Sequence, residues 1–125
     1  MTIATIDIGG TGIKFASLTP DGKILDKAST PTPKTLEDLL AWLDQRLSEQ
    51  DYSGIAMSVP GAVHQETGVI KGISAIPYIH GFSWYEALSH HKLPVHLEND
   101  ANCVGLSELL AHPEIENAAC VVIGT

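Results

Sequence analysis

Two apolar runs open the chain and flank a short polar gap. Thr2 to Ile8 is rich in β-branched residues and contains neither Pro nor Gly, which predicts a strand, and Phe15 to Leu18 resumes the run as its hairpin partner. Thr19-Pro20-Asp21-Gly22 has turn chemistry, and Lys23 to Thr30 predicts a third strand, giving an antiparallel meander that Pro31 and Pro33 end. Leu36, Leu39, Leu40, Leu43 and Leu47 then recur at helical spacing, with Trp42 among them as core; Thr35 stands before the run and Asp38 three residues later, as in a capping box. Tyr52 to Val59 predicts a central strand that stops at Pro60-Gly61. Ala62 to Gly72 predicts a small hairpin around Glu66-Thr67-Gly68, and Ile73 to Ser83 has no period and reads as a loop.

Farther along, Ser83 is placed to cap a short helix through Trp84, Tyr85 and Leu88, and Pro94 to Leu97 predicts a short strand. Ala101, Val104, Leu106, Leu109 and Leu110 predict a helix, Ala118 to Ile123 a last strand, and Gly124-Thr125 close the sequence. The pattern is α/β with a mixed sheet.

The gap between the first two runs is Asp7-Ile8-Gly9-Gly10-Thr11-Gly12-Ile13-Lys14. Consecutive glycines allow positive φ and carry no Cβ to hold an anion away from backbone N–H groups. Thr11 adds a hydroxyl donor, and Asp7, at the end of the strand, is placed to hold a hydrated Mg²⁺ against phosphates. A plain tight hairpin turn is the competing reading. The spacing is neither that of a Walker loop nor that of a dinucleotide fingerprint, because these glycines lead into another strand rather than a helix.

Composition narrows the classes. The 125 residues suit one domain with a single core, and 44% hydrophobic with 18% charged content is that of a globular chain. A formal charge of −8 disfavours nucleic acid and anionic membrane as partners. No long apolar segment and no charged-then-apolar leader is present, so a cytoplasmic protein is expected. Cys103 and Cys120 stand in apolar surroundings and read as free buried thiols. None of the six histidines forms a helical pair or a Cys-x-x-Cys partner set; His90-His91 reads as a helix end, where cations suit the dipole.

Glu98-Asn99-Asp100-Ala101-Asn102 stands where a strand passes into a helix. Asn99 or Asp100 there could serve only as a cap, at a benefit of about 1 kcal/mol. Phosphoryl transfer to an alcohol asks for more: a phosphate cradle, a metal to offset charge and a carboxylate to accept the hydroxyl proton. Gly9, Gly10 and Thr11 offer the cradle, Asp7 the metal site and Asp100 the base, with Asn99 able to donate to and accept from sugar hydroxyls. A helix N-terminus favours the ionised form of Asp100.

Asp7-Ile8-Gly9-Gly10-Thr11 between two strands resembles the first phosphate motif of the actin-like ATPase superfamily. Together with Val59-Pro60-Gly61, Gly81-Phe82-Ser83-Trp84, Glu98-Asn99-Asp100-Ala101-Asn102 and Glu108, in that order, the chain resembles the ROK family of bacterial sugar kinases and repressors over nearly its whole length. The resemblance implies an actin-like ATPase (ribonuclease H-like) lobe with flanking helices, and an ATP- and Mg²⁺-dependent kinase. It implies Asp100 as the base for a sugar 6-hydroxyl, Asn99 as a sugar ligand, Gly61 as part of the pocket floor, Lys14 beside the phosphates, and Gly124-Thr125 as the opening of a second phosphate motif. The sugar it implies is a hexose, an N-acylhexosamine or a glucoside; the loop Ile73 to Trp84 reads either as part of that choice or as a structural cover, and homodimerisation is common in the family.

The second-lobe motifs of such kinases, Glu-x-Gly-His, the cysteine-rich zinc motif and the adenine pocket, do not occur in residues 1–125. The expectation is an N-terminal lobe, inactive alone, with Tyr78, Phe82 and Trp84 partly exposed as an apolar patch. Repressor members carry a helix-turn-helix segment before the phosphate motif, and only six residues precede Asp7, so a kinase is expected. The rival from another class is a non-catalytic module of the same fold that binds sugar or protein.

Overall fold

A computed structural model describes residues 2–103. Strands β1 (Ile3–Ile8), β2 (Gly12–Leu18), β3 (Ile24–Pro31), β4 (Gly54–Val59) and β7 (Val95–Asn99) form one sheet in the order β3-β2-β1-β4-β7, while β5 (Ala62–His64) and β6 (Val69–Lys71) form a separate hairpin. The first three strands are antiparallel neighbours, and β4 and β7 run parallel to β1. The meander, the central strand and the small hairpin are where the apolar pattern puts them. The helix after Cys103, the strand Ala118 to Ile123, Cys120 and Gly124-Thr125 lie outside the described residues.

Alternation in β1 and β2 sends Ala4, Ile6, Ile8, Ile13 and Phe15 into the core, where they join Leu39, Leu43 and Leu47 of α1 (Leu36–Leu47). Each leucine buried there is worth roughly 1.5–3 kcal/mol. Thr35 caps α1 as its sequence suggests, its Oγ1 accepting from the Asp38 N–H at 3.2 Å. Trp42 is only partly buried at the margin of this cluster, edge-on to Phe15 and under Arg46. The strand expected from Tyr52 begins at Gly54, and the one expected over Pro94 to Leu97 runs to Asn99.

The loop after β6 has more order than its lack of period suggests. It contains a 3₁₀ turn at Pro77–Ile79 and leads to α2 (Trp84–Ala87), capped by Ser83 Oγ accepting from the Glu86 N–H. Trp84, expected to be partly exposed, is fully buried, with its indole N–H donating to the Ile79 carbonyl at 3.0 Å; Tyr78 and Phe82 are half-buried. Burying the indole is tolerated because its one polar atom finds a backbone partner. Only Phe82 and Tyr78 therefore remain of the expected patch.

Candidate active site

Because β1, β4 and β7 are parallel, their C-terminal ends open on one edge of the sheet. Register places Asp7 opposite Ser58 and Ser58 opposite Glu98, with Val59 opposite Asn99. Strands lie about 4.8 Å apart, so the ends of β1 and β7 are separated by about 10 Å. From this edge emerge the glycine loop after β1, Pro60-Gly61 after β4, and a helix that begins at Asp100 after β7.

In the glycine loop the carbonyls of Gly9, Thr11 and Gly12 are tied down and N–H groups are left over. Gly9 N–H donates to the Gly12 carbonyl at 3.0 Å, Thr32 Oγ1–H donates to the Gly9 carbonyl at 2.6 Å, and Thr32 N–H donates to the Thr11 carbonyl at 3.2 Å. Among the described residues the N–H groups of Gly10 and Thr11 and the Thr11 hydroxyl have no protein partner. Neither Gly9 nor Gly10 takes a positive φ, contrary to the expectation from sequence. Their smallness serves close approach instead: a Cβ on Gly9 would stand 3.0 Å from the Gly12 carbonyl oxygen, and one on Gly10 3.1 Å from Ala75 Cβ. Ala75 belongs to the loop after β6, so that loop packs directly on the glycine loop.

Asp7 is exposed beside this cradle, cross-strand from Lys14, and forms no ion pair within 4 Å among the described residues. A free carboxylate next to unpaired backbone donors fits a hydrated divalent cation bound with a polyphosphate.

The other junction has the opposite arrangement. Asn99 Oδ1 accepts from Ala101 N–H at 3.0 Å and Asn102 N–H at 3.3 Å, and Asp100 Oδ1 also accepts from Ala101 N–H at 2.8 Å. Asn99 is thus the helix cap, which resolves the ambiguity between the two residues. Its amide donates to the Gly61 carbonyl at 2.5 Å, fixing the β4 loop to the helix start. Asp100 is exposed, and its Oδ2 has no protein partner among the described residues. Gly61 does adopt a positive φ of +97°, and a Cβ there would fall 2.9 Å from Ile70 and from the Lys71 carbonyl.

Three contributors are not legible in the sequence. Thr32, between two prolines, locks the cradle from another strand end. His80 lies against Gly61, its Nε2 at 2.7 Å from Ser74 Oγ and its Nδ1 buried without a partner among the described residues. Cys103 is half-buried, its thiol donating weakly to the Glu98 carbonyl at 3.9 Å; burial first, then the carboxylates of Glu98, Asp100 and Asp7, push that thiol above the ordinary value, against a lowering influence of the Ser58 hydroxyl. Asp7, Ser58, Glu98 and Cys103 line one cavity beside these strand ends, and Asp100 lies outside its lining.

A mixed five-stranded sheet of this order, with a donor-lined glycine hairpin and an acid-tipped helix start on one edge, defines the class as an actin-like ATPase lobe. The chain belongs to the ROK family, whose sequence profile matches residues 3–125. It is 39% identical over 132 residues to a beta-glucoside kinase of Listeria monocytogenes, an alignment covering 100% of this chain and 44% of that protein. With a glucokinase of Halalkalibacterium halodurans it shares 34% identity over 134 residues, 96% of this chain and 40% of that one. Its fold superposes with TM-score 0.93 on a ROK family protein from Streptococcus pneumoniae TIGR4 in complex with sucrose, at 90% identity over 99% of this chain and 43% of that chain. The chain therefore spans less than half the length of the relatives it matches.

Proposed function

We propose that this chain is the N-terminal lobe of an ATP- and Mg²⁺-dependent cytoplasmic sugar kinase that transfers the γ-phosphoryl group to the 6-hydroxyl of a hexose, N-acylhexosamine or glucoside. The observation that carries this reading is the pairing, on one sheet edge, of a loop with unpaired backbone donors and a helix start that offers an unpaired carboxylate oxygen.

The roles follow from those atoms. Gly10 and Thr11 N–H groups and the Thr11 hydroxyl hold phosphate oxygens, and Lys14 adds positive charge nearby. Asp7 would hold a hydrated Mg²⁺, which would supply positive charge to offset that of the phosphates. Asp100 Oδ2 accepts the proton of the sugar hydroxyl as its oxygen bonds to the γ-phosphorus and the bond to the ADP oxygen breaks. Asn99 keeps one amide hydrogen for a sugar hydroxyl after bonding to Gly61, and Gly61 leaves room for the ring. Gly124 and Thr125 extend the phosphate site by resemblance. The lobe alone is inactive, since the adenine site and part of the sugar site of such kinases belong to their second lobe. No helix among the described residues is long and apolar enough to cross a membrane.

The test is sugar-dependent ADP release by the full-length protein with MgATP. The panel comprises β-glucosides, glucose, N-acetylmannosamine and other N-acylhexosamines, with β-glucosides first on the strength of the Listeria relative. One class is expected to give a 6-phosphate product. Absence of sugar-dependent ADP release across the panel overturns the kinase reading and leaves the binding module.

A further inference from the structure

Away from the sheet edge, three side chains with metal-ligating atoms converge. His90 and His91, in the 3₁₀ turn Ser89–His91, both direct Nε2 at one oxygen of Asp44, at 3.0 Å and 2.7 Å. Asp44 lies on α1, next to the core residue Leu43, so the cluster sits on the sheet face opposite the one that bears Asp7 and Lys14. The candidate ligand atoms lie within 4.8 Å of one another, and the two imidazole rings are 4.1 Å apart.

From this convergence we propose that Asp44, His90 and His91 form a binding site for a divalent transition-metal ion, with Zn²⁺ its natural class of occupant. Adjacent histidines in a chain ordinarily diverge; here the tight turn aligns them on a carboxylate 46 and 47 residues away. Zinc binds imidazole nitrogen and carboxylate oxygen at about 2.0–2.2 Å, so tetrahedral ligand atoms lie about 3.3 Å apart. The Nε2–Oδ1 separations, 3.0 Å and 2.7 Å, need to open by roughly 0.3 and 0.6 Å for an ion to enter, and all three ligand atoms already lie within 4.8 Å of one another. The ion takes the lone pair of each Nε2, so each neutral ring carries its one proton on Nδ1 in the bound form. Water completes the fourth position. Two imidazoles and one carboxylate select Zn²⁺ over the oxygen-seeking Mg²⁺, so the site is chemically separate from Asp7. The bound ion pins α1 to the segment that leads into β7.

Chelator-treated full-length protein, titrated with ZnCl₂ in excess Mg²⁺, is expected to take up one equivalent more than its His91→Ala variant, and Zn²⁺ is expected to raise the melting temperature of the wild type by more than that of the variant. His90 is largely exposed, so His90→Gln leaves folding intact. That variant is expected to weaken binding at the extra site at least about tenfold. Equal Zn²⁺ stoichiometry and affinity in the wild type and His90→Gln overturns the proposal, even where zinc binds all of them elsewhere; sugar-dependent ADP release is read independently of this result.

Discussion

The glycine loop and the Asn99-Asp100 junction are built to opposite rules. At the loop, partners from Thr32 and Gly12 occupy carbonyls and one N–H, leaving Gly10 and Thr11 as donors. At the junction, Asn99 and Asp100 occupy the first N–H groups of the helix and leave a carboxylate oxygen as acceptor. A site that moves a phosphoryl group to an alcohol needs both, donors where negative charge accumulates and an acceptor where a proton departs. What each region withholds from internal hydrogen bonding is what it presents to a ligand.

The sharpest way to break this pairing is Asp100→Asn in the full-length protein. Loss of a general base lowers kcat by about 10²–10⁴-fold, while sugar affinity measured by calorimetry stays close to wild type. Surviving turnover would remove Asp100 from the mechanism; a mutant that merely melts earlier, with full turnover, would make it a structural residue. Next in size is Gly9→Ala. Its methyl meets a backbone oxygen at 3.0 Å that has little freedom to move, so a stability loss of about 1–3 kcal/mol and a raised KM for ATP are expected. Gly10→Ala meets only the Ala75 methyl of an exposed loop and serves as the milder comparison in the same denaturation and kinetic measurements.

Asn99→Ala and Thr32→Val test the internal ties on the two sides. The first removes the helix cap and the bond to Gly61, costing about 1 kcal/mol or somewhat more and raising KM for sugar above that for ATP. The second removes one hydroxyl bond to the Gly9 carbonyl, costing about 1 kcal/mol, and is expected to raise KM for ATP above that for sugar. Both are read by thermal unfolding and by varying one substrate at a time. If the two variants shift both KM values equally, the two regions are not specialised as described.

Much of this was visible in the sequence because it is local. Period-two runs mark β1 and β2, Thr35 and Ser83 announce helix starts, and Pro60-Gly61 marks a strand end. The ordered motifs added the family, and with it ATP, which no periodicity supplies. What local pattern cannot show is which distant group meets which. Thr32 on Gly9, Ala75 on Gly10, His80 on Gly61 and His90 with His91 on Asp44 all join residues far apart in the chain or set by loop packing. His90 and His91 do end a helical turn as the sequence suggests, but the same limit hides their convergence on Asp44, and it explains why Asn99 and Asp100 could not be told apart until the cap geometry was seen.

The smallest expected effect tests the spatial relation itself. Cys103 is held protonated mainly by burial and then by Glu98, Asp100 and Asp7. A thiol reacts with iodoacetamide as its anion, so in a Cys120→Ser background alkylation of Cys103 near pH 8 should be slower than that of a free thiol, with its rate midpoint shifted to higher pH. Removing one repulsive charge favours the thiolate, so Asp7→Asn and Asp100→Asn should each move that midpoint modestly downward. Ser58→Ala removes a hydroxyl whose influence lowers the thiol's proton affinity and should move the midpoint upward. High salt should shrink the two carboxylate effects and leave the burial effect. If either aspartate variant leaves the profile unmoved at low salt, the glycine hairpin and the acid-tipped junction do not share one electrostatic neighbourhood, and the pairing of donor loop with acceptor junction fails.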